Sequence, residues 1–144
     1  MLRSTRDDTI RRAAAGLPDA VWRAGSPERP ARLVHGDWHL GQLGRLSASW
    51  VLIDVDDLGR GDPAWDLARP AGFWAAGLIP EADWQTFLRS YRAAGGPALP
   101  TGDPWSALEP FARAAVVHAT ARGIEHGDTG ETQDALVTAC ARMV

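Results

Sequence analysis

Two short motifs constrain this chain more than anything else in it: VHGDWHLGQL (34–43) and LIDVDDLGRGDPAWDLA (52–68). Together they hold Asp37, Asp54, Asp56, Asp57, Asp62 and Asp66, along with His35 and His39. A carboxylate leaves water only when donors or a cation compensate it. The fold must therefore gather these segments at a polar site or leave them on a solvated rim. The residues between and around them predict a small β element. Arg32 to His35 is a short extended segment. Leu43 to Leu46 and Trp50 to Ile53 can pair as a hairpin across Ser47-Ala48-Ser49. Asp54 to Gly61 reads as an acidic, glycine-bearing loop.

The rest reads as helix. Asp7 to Gly16 is a short helix stopped by Gly16 and Pro18, followed by a turn-rich link from Arg23 to Pro30. Asp62-Pro63 has the cap-then-proline form of a helix start. That helix is expected to reach about Gly77, with a bend or break near Pro70. Pro80 opens another helix, ending at Gly95. Asp103-Pro104 starts a long one to about His126, and Thr129 to Met143 forms the last. The expected class is mainly α with a small β-hairpin element, in a single domain spanning 1–144.

Composition narrows the setting. With 45% hydrophobic and 23% charged residues among 144, the chain has enough apolar mass for a core. Seven tryptophans point to large buried anchors or an aromatic-lined cleft. A net charge of −3 argues against a nucleic-acid-binding domain. One cysteine, Cys140, forms no intramolecular disulfide. The start, MLRSTRDDTIRR, lacks the apolar stretch of a signal peptide, and no run approaches the ~18 apolar residues of a membrane span. The expectation is a cytoplasmic protein that binds neither nucleic acid nor membrane.

Three readings of the first motif compete. In the simplest, Asp37 and the histidines satisfy backbone groups of a tight turn between Gly36 and Gly41. In the second, His35, Asp37 and His39, at alternate positions of an extended segment, bind a metal, as in a metal-dependent hydrolase. In the third, the segment is a phosphoryl-transfer loop. There Asp37 orients an attacking hydroxyl and takes its proton late. Gln42, five residues on, offers a hard, neutral amide oxygen to Mg²⁺.

The second motif fits that last reading. Asp54 ends an apolar strand, where a carboxylate opening into a loop is placed to hold a cation, and Asp56 follows two residues later. A solvated acidic loop is the plainer alternative. Asp62 reads as an N-cap. Asp66, at i+4 from Asp62 and flanked by Trp65 and Leu67, needs donors if buried. Backbone N–H groups of the first motif are candidates.

HGDWHLGQ followed by LIDVDDLGRGDPAWDLA resembles the aminoglycoside phosphotransferase family of protein-kinase-like small-molecule kinases. Its pattern is HGD-x-H-x-x-N, then ID-x-[DE], then GDP-x-x-DLA. Glutamine in place of asparagine, Trp38 and the tail ARPAGFWAAGL are more similar to maltokinases and glucosamine kinases. The resemblance spans about Leu33 to Ala76. It implies ATP and Mg²⁺ as cofactors and a sugar or amino-sugar acceptor. By the same resemblance Asp37 is the catalytic aspartate, and Gln42 and Asp54 are the Mg²⁺ and nucleotide ligands. Asp56 is the second acidic position of the metal loop, His35 and His39 shape the catalytic loop, and Asp66 braces it.

The sequence departs from the family before His35. Only 34 residues precede it, and they hold no lysine, no G-x-G and no strand-rich pattern. The chain is thus expected to be a C-terminal lobe without the nucleotide lobe, weakly active or inactive alone. A homodimer or a separate nucleotide-lobe partner is expected to complete it. The other function class is a non-catalytic binding or oligomerisation module. Substrate contacts are sought in Trp38, Trp105 and Glu125, with Trp74, Glu109 and Asp128 as further candidates. Against this, aromatics at helical spacing, such as Trp84, Phe87 and Tyr91, are more often core.

Overall fold

The computed structural model describes residues 2–23 and 25–144, with the backbone alone for residues 2–5. Met1 of the expected 1–144 domain and Ala24 of the expected link lie outside the described residues. Helix α1 (Leu2–Ala15) leads through a 3₁₀ turn (Asp19–Trp22) to strand β1 (Arg32–Val34). A second 3₁₀ turn (Leu40–Gln42) precedes β2 (Leu43–Leu46), β3 (Ser49–Leu52) and β4 (Gly59–Gly61). Helices α2 (Trp65–Ala75), α3 (Glu81–Ala93), α4 (Trp105–His126) and α5 (Glu131–Ala141) complete the chain. The fold is mostly helical with small antiparallel strand pairs. None of the described helices is long and apolar enough to cross a membrane.

The hairpin forms as β2–β3, with Leu43 opposite Leu52 and Leu46 opposite Ser49. Its turn is tighter than the expected three residues: Ser49 joins the strand, and Ser47 takes the left-handed conformation (φ 55°) that a two-residue hairpin turn needs. A second antiparallel pair was not foreseen. β1 pairs with β4, Val34 opposite Gly59 and Arg32 opposite Gly61, inside the segment expected to be loop. Gly-Arg-Gly has no strand propensity of its own; the pairing comes from the backbone partner that β1 presents. Strand order thus folds the second motif back onto the first.

Helix α1 begins at Leu2 rather than Asp7. Helix α2 begins at Trp65, not directly after Asp62. Asp62 instead closes the turn before it, its carboxylate accepting from Ala64 N–H (2.9 Å) and its carbonyl from Trp65 N–H (2.9 Å). Pro70 does not break the helix, which continues to Ala75. A proline removes one helical hydrogen bond, but α2 is held by tertiary packing: Leu67, Ala68, Ala71 and Gly72 are all buried. At Gly72 a Cβ would sit 2.7 Å from the Ala112 carbonyl oxygen, so α2 and α4 approach this closely only with glycine there.

The core has two parts. One joins Leu67, Trp84, Leu88, Leu108 and Phe111 across α2, α3 and α4. The other joins Ile10, Val116, Val117, Leu136 and Cys140 across α1, α4 and α5. The aromatics at helical spacing belong to the first part. Trp84 stacks on Trp74 (centroids 5.2 Å) and on Phe87 (5.7 Å). In the second, Cys140 is fully buried, and that burial raises its thiol pKa.

Candidate functional site

The floor of the site is Asp66, on the first turn of α2. Its two carboxylate oxygens accept from the backbone N–H groups of His35 (2.8 Å) and Gly36 (3.1 Å). Hydrogen bonds to a charged acceptor are about twice as strong as neutral ones, so α2 fixes the start of the HGD loop. Trp65 adds a bond from its indole N–H to the Gly36 carbonyl (2.7 Å). Gly36 lies at φ 92°, and a Cβ there would collide with the Asp57 carbonyl oxygen. The loop thus requires glycine at this position for conformation and for space.

Next to this floor, Arg29 clamps Asp62 through two bonds, Nε to Oδ2 (2.6 Å) and Nη2 to Oδ1 (2.7 Å). The same Nη2 donates to the Ala98 carbonyl (3.2 Å). Hydrogen bonding to Asp62 raises the Arg29 pKa despite partial burial. The turn before α2 is therefore anchored to the 25–30 segment and to the α3–α4 connection. The expected N-cap role of Asp62 is the smaller part of what it does.

His35 is buried, and its Nε2 lies 2.9 Å from the Ile53 carbonyl oxygen. A carbonyl only accepts, so Nε2 carries the proton, and the buried Nδ1 has no partner among the described residues. Ile53 N–H in turn donates to the Gln42 carbonyl (2.9 Å). His35 and Gln42 together tie both ends of the first motif to the start of the second. His39 caps the 3₁₀ turn, its Nδ1 accepting from Gly41 N–H (3.0 Å). Both histidines of the weaker His35/Asp37/His39 metal reading are engaged by backbone groups. No three His, Cys, Asp or Glu residues gather to hold a metal among the described residues.

Gln42 and Asp54 meet side chain to side chain, the Gln42 amide N–H donating to Asp54 Oδ2 (3.0 Å). Gln42 is buried, and this bond leaves its amide oxygen available. Asp54 is exposed and holds φ 57°, a left-handed conformation uncommon outside glycine. Such strain persists only where the surroundings enforce it, and it clusters at ligand sites. Mg²⁺ is typically held by one or two protein groups together with substrate phosphates and water. In this structure the amide nitrogen faces Asp54; with the amide turned over, its oxygen and the carboxylate would form a donor set of that kind. Asp56 is exposed on the same loop.

Asp37 lies at the mouth of a cleft of about 560 Å³. Arg69 Nη1 donates to its Oδ1 (3.2 Å), with the Arg69 guanidinium over the Phe73 ring (5.7 Å). No sequence motif marks Arg69, although its place three residues after Asp66 on α2 puts it on the same helix face. The cleft runs from Asp37, Trp38 and His39 past Arg69 to His118, Arg122 and His126 of α4 and Thr132 of α5. Trp38 is therefore a wall of it, tilted at 32° against Phe87 with ring centroids 5.9 Å apart, and Asp128 also lines it.

Trp105 and Glu125 do not reach the cleft. Trp105 packs edge-on against Trp74 (5.3 Å) and lines a separate cavity with Glu109. Glu125 is exposed, one residue off the α4 face that turns to the cleft. Trp74 and Glu109 stand apart from the cleft as well.

A family model described as the phosphotransferase enzyme family (APH) matches residues 2–111, from α1 into α4. No curated protein and no solved structure matches the chain.

Proposed function

From the premise that this chain belongs to the phosphotransferase enzyme family, we propose that it carries the catalytic lobe of an ATP- and Mg²⁺-dependent kinase. The acceptor is a hydroxyl of a small molecule of the sugar or amino-sugar class. The carrying observation is the Gln42–Asp54 contact, beside a cleft that Asp37 enters. Gln42 and Asp54 hold Mg²⁺, with Asp56 as the further acidic position. Bound there, the cation neutralises charge on the transferring phosphoryl group.

Asp37 orients the acceptor hydroxyl and receives its proton as the new P–O bond forms and the bond to the ADP leaving group breaks. Arg69 holds one Asp37 oxygen, which leaves the other for the hydroxyl. His35, His39 and Asp66 keep the loop in shape. All fifteen basic residues of this chain are arginines, so it brings no lysine to the phosphates. Turnover by this chain alone is accordingly expected to fall below ordinary kinase rates, on the order of 1–100 s⁻¹. A coupled ADP-release assay with ATP, Mg²⁺ and a sugar panel tests this. Slow turnover that disappears in Asp37→Asn supports it. Turnover unchanged in Asp37→Asn would refute the assignment, and turnover at full kinase rates would refute the expected weakness.

A second reading is favoured by one observation. Leu40, Leu46, Trp50, Leu52, Ile53 and Leu58 are all exposed around the metal loop. Apolar surface of this kind often marks a protein contact. We propose that this face meets a second copy of the chain or a separate nucleotide-binding partner. In the non-catalytic version the contact is the function. Light scattering that shows a dimer in a chain that binds no nucleotide would favour that version over the kinase.

A further inference from the structure

His118, Arg122 and His126 stand at i, i+4 and i+8 on α4 and all line the cleft that Asp37 enters. Residues four apart share a helix face, so three cationic or protonatable side chains form one stripe along the wall. All three lie beyond residues 2–111, the segment matched to the family. Helix-dipole complementarity explains part of such a pattern, since cations are favoured in a last turn. That accounts for His126. It does not account for His118 and Arg122, whose turns lie deeper in the helix.

The charge balance of the cleft points the same way. Two aspartates line it, Asp37 and Asp128. Asp37 is paired with Arg69. Arg122 makes no ion pair or hydrogen bond among the described residues. An unpaired guanidinium presents a planar fork of donors suited to a carboxylate or phosphate. Trp38, Trp65 and Phe73 give the same cleft an apolar wall, and its volume of about 560 Å³ lies in the usual range for small-molecule sites.

We infer that the acceptor is a hydroxylated small molecule bearing an anionic group, a carboxylate or a phosphate. Arg122, flanked by His118 and His126, holds that group while the hydroxyl faces Asp37. This rests on the phosphotransferase reading and narrows its acceptor from sugars and amino sugars to acidic ones. An amino sugar would bring a cation to a basic wall.

Calorimetric binding without nucleotide tests it, with glucuronate, glucose 6-phosphate, glucose and glucosamine as probes. At least one acidic probe is expected to bind about tenfold tighter than glucose, with glucosamine weakest. Which acid binds separates carboxylate from phosphate recognition. Arg122→Ala is expected to remove the preference and Arg122→Lys to retain part of it. Arg122 is exposed, so neither change threatens the fold. Equal binding of glucose or glucosamine, no binding of either acid at millimolar concentration, or a preference that survives Arg122→Ala would overturn the inference. If an acid binds through Arg122 but the chain binds no ATP with Mg²⁺ present, the kinase reading fails and the anion site stands. If ATP phosphorylates glucosamine or glucose in preference to the acids, the reverse holds.

Discussion

Asp66 and Asp54 stand on the two sides of one site. Asp66 is half-buried, and both its oxygens are taken by backbone N–H groups of the HGD loop. Nearby, Asp62 is buried and gripped by the Arg29 fork. Asp54 is exposed, gives one oxygen to an amide, and holds a left-handed backbone that an aspartate adopts at a cost. The floor carboxylates have their oxygens satisfied within the chain, while the rim carboxylate has one oxygen to spare and a left-handed backbone. On the proposed reading the floor carboxylates serve stability and the rim carboxylate serves binding. Residue type alone does not separate them; their partners do.

That division sets an order of expected effects. Arg29→Ala is expected to cost the most, about 3 kcal/mol, because it leaves the Asp62 carboxylate buried without its partner. Chemical denaturation measures it, and a cost near zero would remove the floor from the comparison. Asp66→Ala is expected to cost about 2 kcal/mol, since two loop N–H groups lose a charged acceptor. Hydrogen exchange at Gly36 is expected to rise with it; unchanged exchange would mean that something else holds the loop. Asp54→Gly is expected to stay within about 1 kcal/mol and to shift toward greater stability, as glycine relieves the left-handed strain. A large loss there would place Asp54 with the floor. Trp50→Ser, on the exposed hairpin, is expected to change stability by about 0.5 kcal/mol or less. A larger cost would show that the rim face is packed rather than available.

The sequence disclosed the helices and the hairpin because periodicity and proline signals act locally. It missed β4 because Gly-Arg-Gly pairs only when β1 lies beside it. It overstated Pro70, since the packing of α2 on α4 outweighs one lost hydrogen bond. At the site, Asp66 as a half-buried carboxylate needing backbone donors was readable from its neighbours Trp65 and Leu67. The Arg29–Asp62 clamp spans 33 residues, and no local pattern encodes it. Trp105 and Glu125 were sought in the cleft because type and position on α4 suit a pocket. Helix rotation decided otherwise, and it turned His118 and Arg122 toward the cleft instead.

The central claim is that Gln42 and Asp54 form the ligand-holding rim of a Mg²⁺–nucleotide site. Titrating ATP into the chain with and without Mg²⁺, and into Asp54→Asn, tests it most directly. Asparagine tolerates the left-handed backbone and removes only the charge. The account predicts ATP binding that requires Mg²⁺ and is lost in Asp54→Asn while the unfolding midpoint holds. Binding that ignores Mg²⁺, or that survives in Asp54→Asn, would contradict it.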